Sequence, residues 1–416
     1  MSGAVAWTPA SPGWLQLHYD ASLPVYTDTG MTAVASVGNT VKGVPDQSGL
    51  GRHATGTTAL TLSSVNGKRG LRFDAGQLPI AAAASFDRRD CSVMVVTRGG
   101  TFRNRGIVGM SSLSLHLVHH YSPSSYASGY LGCYFGSANV SPTPLPAGAG
   151  PTLVGVRSTA AGVRLYLNDK TADFSAASSS SVTPDQLGGY DGGQPFVGDI
   201  LEIMVHSPAL GDDDIVAASA YLAAKWGTGS PAKLLVGVGD SLTQGDAGPN
   251  SGWPEIGVAG GLFAGYHVAN FGLGGRTAQD IAANVTGQFV PFASSPWSQI
   301  VFSVHAGTND IGAGRTGAQV IADLTTTTTA LRAAGGYVVL QTCTPSQYDD
   351  ATKLGYRNAV NAAVRDGTIP RDAVADIAAD PRLSDFNNAT YYGPDKLHYT
   401  PAGYLAVADV NAAACP

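Results

Sequence analysis

The sequence predicts a multidomain chain: an all-β antiparallel sandwich over residues 1–228, then an α/β domain built on a parallel sheet over residues 233–416. Length is the first reason, because 416 residues exceed what one ordinary core organises. Composition is the second: 44% hydrophobic against 13% charged residues marks a folded globular chain, and 53 glycines with 24 prolines supply many turns. The third is a change of texture near residue 228, where short alternating runs give way to continuous apolar runs separated by helical stretches.

In the first part the strand-like runs are "LRFD" (71–74), "CSVMVVTR" (91–98), "GYLGCYFG" (129–136), "TLVGVRST" (152–159), "VRLYLND" (163–169) and "ILEIMVH" (200–206). Within "VRLYLND", Val163, Leu165 and Leu167 share one face while Arg164, Tyr166 and Asn168 share the other, the period of two expected of a half-buried strand. "TAAG" just before it predicts a hairpin, and many short strands with few helices predict a sandwich. The block closes on one helix, "GDDDIVAASAYLAAKWG" (211–227). It has an acidic first turn, Ile215, Ala218, Leu222 and Trp226 on its apolar face, and Gly227 as its stop. "TGSPAK" then reads as a short linker.

In the second part "KLLVGV", "QIVFSV" (299–304) and "YVVLQTC" (337–343) are continuous apolar runs suited to buried parallel strands. Between the last two, "TGAQVIADLTTTTTALRAAGG" predicts a helix capped by Thr316 and stopped at Gly335, with Ile321, Leu324 and Leu331 near helical spacing. Its five consecutive threonines are expected on a solvated face. Strand and helix in alternation predict a doubly wound sheet whose site lies at the carboxyl ends of the strands.

A net charge of −6 without a long run of one sign offers no nucleic-acid or anionic-membrane surface, so a neutral substrate is expected. No run is long enough to span a bilayer, and "MSGAVAWTPASPGW" lacks the basic and apolar regions of a classical secretion signal. An extracellular or virion-associated location is expected, reached through a trimmed signal or another exit route. Cys91, Cys133, Cys343 and Cys415 show no CxxC or Cys/His metal spacing and are expected as buried free thiols ahead of disulfides; no metal site is predicted.

The run "KLLVGV" leads directly into Gly239-Asp240-Ser241, where a loop turns into a helix. Ser241 is there either a nucleophile, with backbone N–H groups pointing at developing negative charge, or a plain helix cap. Thr243 replaces the second glycine of GxSxG, so the α/β-hydrolase elbow is not supported. A serine needs a base, usually a histidine oriented by a carboxylate. His398, in "GPDKLHYTPAGY" (393–404), has Asp395 three residues before it, a spacing that lets the carboxylate reach Nδ1 while Nε2 faces outward; the alternative is a surface turn capping the last helix. His305 is expected as a packed strand-end residue, and His119-His120 receives no role. Oxyanion donors can come from "HVANFGLGGRT" (267–277), whose glycines let amides approach a ligand, and from Asn309 in "HAGTNDIG" (305–312), unless that Asn only makes an Asx turn.

Taken together, "GDSLT", "NFGLGG", "GTND" and "DKLH" resemble, in order along the chain, four motif blocks of the SGNH (GDSL-type) hydrolase superfamily over roughly residues 233–413. The resemblance implies a flavodoxin-like three-layer fold without metal or organic cofactor. It implies Ser241 as nucleophile and first oxyanion donor, Gly275 as second donor in preference to Gly274, Asn309 as side-chain donor, and Asp395 with His398 as the rest of a triad. Thr308 departs from the glycine the family often has there.

"LHYDAS" (17–22), "VPDQSGLGRHATG" (44–56), "LRFDAG" (71–76), "VRLYLND" and "YLAAKWG" resemble concanavalin A-like or laminin-G-like sandwich modules, which are jelly-roll-like and often bind glycans. Three readings follow. One is an esterase removing O-acetyl groups from a polysaccharide or glycan, the second a general carboxylesterase or lipase on small or lipid esters, and the third a non-catalytic glycan-binding adhesin or phage receptor-binding protein. The polar stretch "GDAGPNSGWPE" (245–255) beside Ser241 favours a polar substrate. The expected partner is an ester, with no nucleic acid and no membrane span; oligomeric state is left open.

Overall fold

In the computed structural model the chain divides into two compact units, Met1–Ser230 and Pro231–Pro416. The structure describes residues 7–65, 67–74, 76–81, 85–87, 89–98, 105–109, 116–121, 130–134, 138–140, 149–174, 181–189, 196–229, 231–245, 251–294 and 297–416.

The first unit is mainly antiparallel, consistent with a β-sandwich. Its main sheet has nine strands: β1 (Leu15–Asp20), β2 (Thr40–Val44), β3 (Ala54–Val65), β4 (Lys68–Asp74), β5 (Cys91–Arg98), β6 (Pro151–Ser158), β7 (Val163–Leu167), β8 (Lys170–Phe174) and β9 (Val197–His206). The order is β8-β7-β6-β5-β9-β4-β3-β2, and β1 pairs with the second half of β9, whose first half pairs with β4. β5 and β9 are buried at every residue, and the charges they carry are paired there: Asp199 of β9 with Arg98 of β5 and with Arg72 of β4. Helix α1 (Asp212–Trp226) starts after Gly211, ends at Gly227 with φ 73°, and buries Ile215, Ala218, Leu222 and Trp226, the face read from the sequence.

That helix corrects the reading of β7. Tyr166, expected on a solvated face with Arg164, is buried in one cluster with Met94, Leu153, Met204, Leu222 and Trp226, because α1 covers the second face of the sheet. The 12-residue β3, "ATGTTALTLSSV", went unrecognised since threonine, serine and alanine mask its alternation. Cys91 is buried, Cys343 is free and buried and Cys415 is free and half-buried; the side chain of Cys133 and those of His119-His120 lie outside the described residues.

The second unit carries a five-stranded parallel sheet: β10 (Lys233–Gly239), β11 (Tyr266–Gly272), β12 (Gln299–Val304), β13 (Tyr337–Gln341) and β14 (Ala373–Ala375), in the order β11-β10-β12-β13-β14. The helices are α2 (Ser241–Gln244), α3 (Trp253–Ala259), α4 (Ala278–Gln288), α5 (Thr308–Gly312), α6 (Gly317–Ala333), α7 (Ala351–Asp366) and α8 (Pro401–Ala414). Helix α3 packs on α8, and α4, α6 and α7 pack against one another in series. The strand order reverses between β10 and its two neighbours, so the loops after β10, β11 and β12 converge where ligands bind in doubly wound sheets. Helix α6 is capped by Thr316 as expected, but its threonines are not all solvated: Thr327 and Thr328 are buried, because five consecutive positions must sweep past the sheet side of a helix. Among the described residues no helix is long and apolar enough to cross a membrane.

Candidate active site

Three loops and one turn bring the sequence-predicted site residues together. β10 ends at Gly239, and Asp240 caps α2 by accepting from the Leu242 N–H at 2.9 Å. Ser241 is therefore the first helical residue, as the capping alternative allowed, but Asp240 supplies the cap and leaves the serine hydroxyl free for other work. Helix α2 is one turn long, so its contribution is individual N–H groups and not a summed dipole.

The hydroxyl faces an imidazole: Ser241 Oγ lies 2.8 Å from His398 Nε2, and His398 Nδ1 lies 2.5 Å from Asp395 Oδ2. A carboxylate only accepts, so Nδ1 carries the proton and Nε2 accepts from the serine. The turn that holds this pair is built by the same carboxylate, whose Oδ1 accepts from the Leu397 and His398 amides at 3.2 and 3.1 Å. Burial works to raise the Asp395 carboxyl, but these amides and the imidazole outweigh it and hold the group below its ordinary range. Beneath the turn, Tyr392, Tyr399 and Tyr404 stack edge to face, with ring centroids 5.2 and 5.3 Å apart, and anchor it to α8. Tyr404 also donates its hydroxyl to the Ser241 carbonyl at 3.3 Å.

The glycine loop after β11 leaves one amide over. Gly272 N–H donates to Asn270 Oδ1, Leu273 N–H to the Gly239 carbonyl, Gly274 N–H to Gln244 Oε1 and Arg276 N–H to the Leu273 carbonyl. Gly275, exposed and at φ 77°, donates to no protein group among the described residues, and neither does the Ser241 N–H. Asn309, in the first turn of α5, is held differently: Nδ2 donates to the Arg276 carbonyl at 2.9 Å and to Asp240 Oδ2 at 3.3 Å. Its neighbour Asp310 accepts from the Ala278 amide at 2.7 Å and pairs with Arg315, tying α4 to α5.

Several residues that build the site were not singled out from the sequence. Asn270 Nδ2 donates to the Thr243 carbonyl at 3.0 Å and to Glu255 Oε2 at 2.8 Å. Burial raises Glu255 to about 7 against the pull of that hydrogen bond and of its own amide. Of the stretch beside Ser241 from which a polar substrate is expected, the Trp-Pro-Glu end opens α3, where Trp253 and Glu255 are buried, and residues 246–250 lie outside the described ones. His305 is buried at the end of β12 as expected, with Nδ1 3.5 Å from Asp240 Oδ1. Cys343 is buried, and that burial pushes its thiol up to about 12, which holds it in the protonated form.

One group among the described residues has the spacing for a cation, His18, Asp20 and Glu202 in the first unit, with ligand atoms within 4.8 Å of one another. The Lys225 ammonium already fills that place, 2.8 Å from Glu202 and paired with Asp20, while His18 and Trp226 donate to the remaining lone pairs of Glu202. This is a satisfied buried ion network.

The model of the GDSL-like Lipase/Acylhydrolase family matches residues 238–406. A member of the lipolytic protein G-D-S-L family from Veillonella parvula DSM 2008 is 25% identical over 43% of this chain and 96% of its own, with a TM-score of 0.35. A GDSL-like lipase from Bacteroides thetaiotaomicron VPI-5482 is 18% identical over 47% of this chain and 93% of its own, with a TM-score of 0.33. The lipase/acylhydrolase from Enterococcus faecalis is 17% identical over 44% and 94%, with a TM-score of 0.35. No curated protein matches the chain. With "GDSLT", "GTND" and "DKLH" all inside the matched span, residues 238–406 are a domain of the GDSL-like lipase/acylhydrolase family, whose chemistry is ester hydrolysis.

Proposed function

We propose that the chain is a serine esterase that removes O-acetyl groups from a polysaccharide or glycan, through a triad of Ser241, His398 and Asp395. The observation that carries the reading is the unbroken line Ser241 Oγ to His398 Nε2, 2.8 Å, and His398 Nδ1 to Asp395 Oδ2, 2.5 Å. Ser241 Oγ attacks the ester carbonyl carbon as its proton passes to Nε2. The carbonyl oxygen becomes an oxyanion held by the Ser241 and Gly275 amides and by Asn309. Collapse expels the alcohol, which takes the proton from Nε2, and leaves an acyl-serine. Water then attacks the acyl carbon with His398 again as base, and the acid leaves as Ser241 recovers its proton. Asp395 keeps the imidazole in the tautomer that each step needs.

The substrate class is the finer part of the proposal. A flavodoxin-like three-layer domain joined to a jelly-roll-like, concanavalin A-like module suits an ester displayed on a glycan. An open site suits a polymer too: the Asp395 and His398 side chains are 42% and 19% exposed. A series of aryl esters of rising acyl length tests this, with Ser241→Ala as the control. Turnover that falls sharply beyond acetyl is expected, whereas preference for long acyl groups would make the protein a general carboxylesterase or lipase. Absence of any turnover would leave it a non-catalytic binder.

A further inference from the structure

The short turn that bears Ser241 has to be held at a fixed distance from the loop that bears Gly275, because two amides on separate segments must meet one oxygen. Close backbone approach does part of this. A Cβ at Gly272 would stand 2.2 Å from the Gln244 nitrogen, and one at Gly252 would stand 2.3 Å from the Thr243 carbonyl oxygen. Backbone proximity alone sets contact, not orientation. One side chain reaches every segment concerned. Asn270, 6% exposed, donates from Nδ2 to the Thr243 carbonyl (3.0 Å), the Gln244 carbonyl (3.4 Å) and Glu255 Oε2 (2.8 Å), and accepts at Oδ1 from the Gly272 N–H (2.9 Å).

We propose that Asn270 and Glu255 are positioning residues for the oxyanion site: Asn270 staples the nucleophile turn to the glycine loop, and Glu255 locks the amide in the orientation that does so. The inference rests on the reading of Ser241 and Gly275 as oxyanion donors. The chemistry of the amide supports the lock. Turned over, Asn270 would set its oxygen against three other oxygens and its NH2 group against the Gly272 N–H, so only one orientation is satisfied. Glu255 supplies the acceptor for the hydrogen that the two carbonyls do not take. An apolar residue there would leave a buried N–H unpartnered and the amide less constrained. The carboxyl reaches Asn270 from the first turn of α3, so the lock also ties that helix to β11. Loss of alignment at the donors costs transition-state stabilisation and leaves ground-state binding nearly untouched.

The test is steady-state kinetics of the full chain on an aryl acetate, with melting curves as the control for folding. Glu255→Ala and Asn270→Ala are expected to lower kcat by about 10- to 100-fold with KM within about 3-fold, and Glu255→Gln, which keeps an acceptor, to recover most of the turnover. Should Glu255→Ala fail to fold, Glu255→Met fills the space without accepting from the amide and carries the same comparison. Unchanged kcat in Glu255→Ala, a KM that rises in step with any loss, or a Gln variant as impaired as the Ala variant would overturn the proposal. Ser241→Ala separates the two levels. If it is inactive while Glu255→Ala is normal, only the staple fails; if it keeps wild-type turnover, the parent reading fails.

Discussion

Asn309 enters the site with its amide already committed, strongly to the Arg276 carbonyl at 2.9 Å and more weakly to Asp240 Oδ2 at 3.3 Å. The long bond is the one an oxyanion would replace, since a developing negative oxygen within reach is the better acceptor. Asn309→Ala is expected to lower kcat by about 100- to 1000-fold with little change in KM, measured on an aryl acetate. A loss under about 3-fold would remove Asn309 from the oxyanion site. Residues in this part of the molecule differ in how far they could be read in advance. Asp395 and His398 were legible because three positions on one turn constrain where a carboxylate and an imidazole can meet. Asp240 was quoted only as part of a motif, and its hold on Asn309, 69 positions away, has no local signature. Tyr404 was invisible for a similar reason: an aromatic in a final helix reads as core, and its hydroxyl bond to the Ser241 carbonyl depends on how α8 packs.

At the level of elements, α3 holds a titratable group where a helix of this kind normally packs an apolar one. Burial lifts Glu255 from its ordinary 4.5 to about 7, so the folded chain favours the neutral carboxyl. The folded value is raised, so the stability drawn from the neutral form is fully present below the unfolded value and is lost as pH rises through about 7. Glu255→Gln cannot ionise and escapes that loss. Its melting temperature is expected to gain on the wild type between about pH 5 and about pH 8.5, by at most roughly 3 kcal/mol of stability. A constant difference across that range would show that Glu255 is not titrating in the folded protein. The elements themselves were legible where periodicity was strong. Helix α1 buried the four residues that its spacing named, and β5 and β12 kept their predicted limits. Legibility failed where composition blurred the pattern, in β3 and along the threonines of α6, and where a neighbouring layer decided burial, as α1 does for Tyr166.

The whole chain joins a domain of known family to a unit whose role is a proposal. If the first unit holds the glycan, a candidate place is an open cleft of about 440 Å³ lined by Arg157, Thr159, Arg164, Asp173 and Asp212, whose charged groups pair as Arg157–Asp212 and Arg164–Asp173. Arg164→Ala is then expected to lower turnover on an acetylated polysaccharide by up to about 10-fold while sparing an aryl acetate; equal effects on both would rule the cleft out. In the sequence a change of texture near residue 228 marks the expected boundary, whereas no such signal identifies this cleft. The central claim is that Ser241 becomes acylated. It is tested most directly by incubating wild type and Ser241→Ala with a fluorophosphonate ester and reading intact mass and the labelled peptide. One adduct on the wild type, located at Ser241 and absent from the variant, is the result this account predicts. An unlabelled wild type that still hydrolyses esters, or a variant labelled as fast as the wild type, would contradict it.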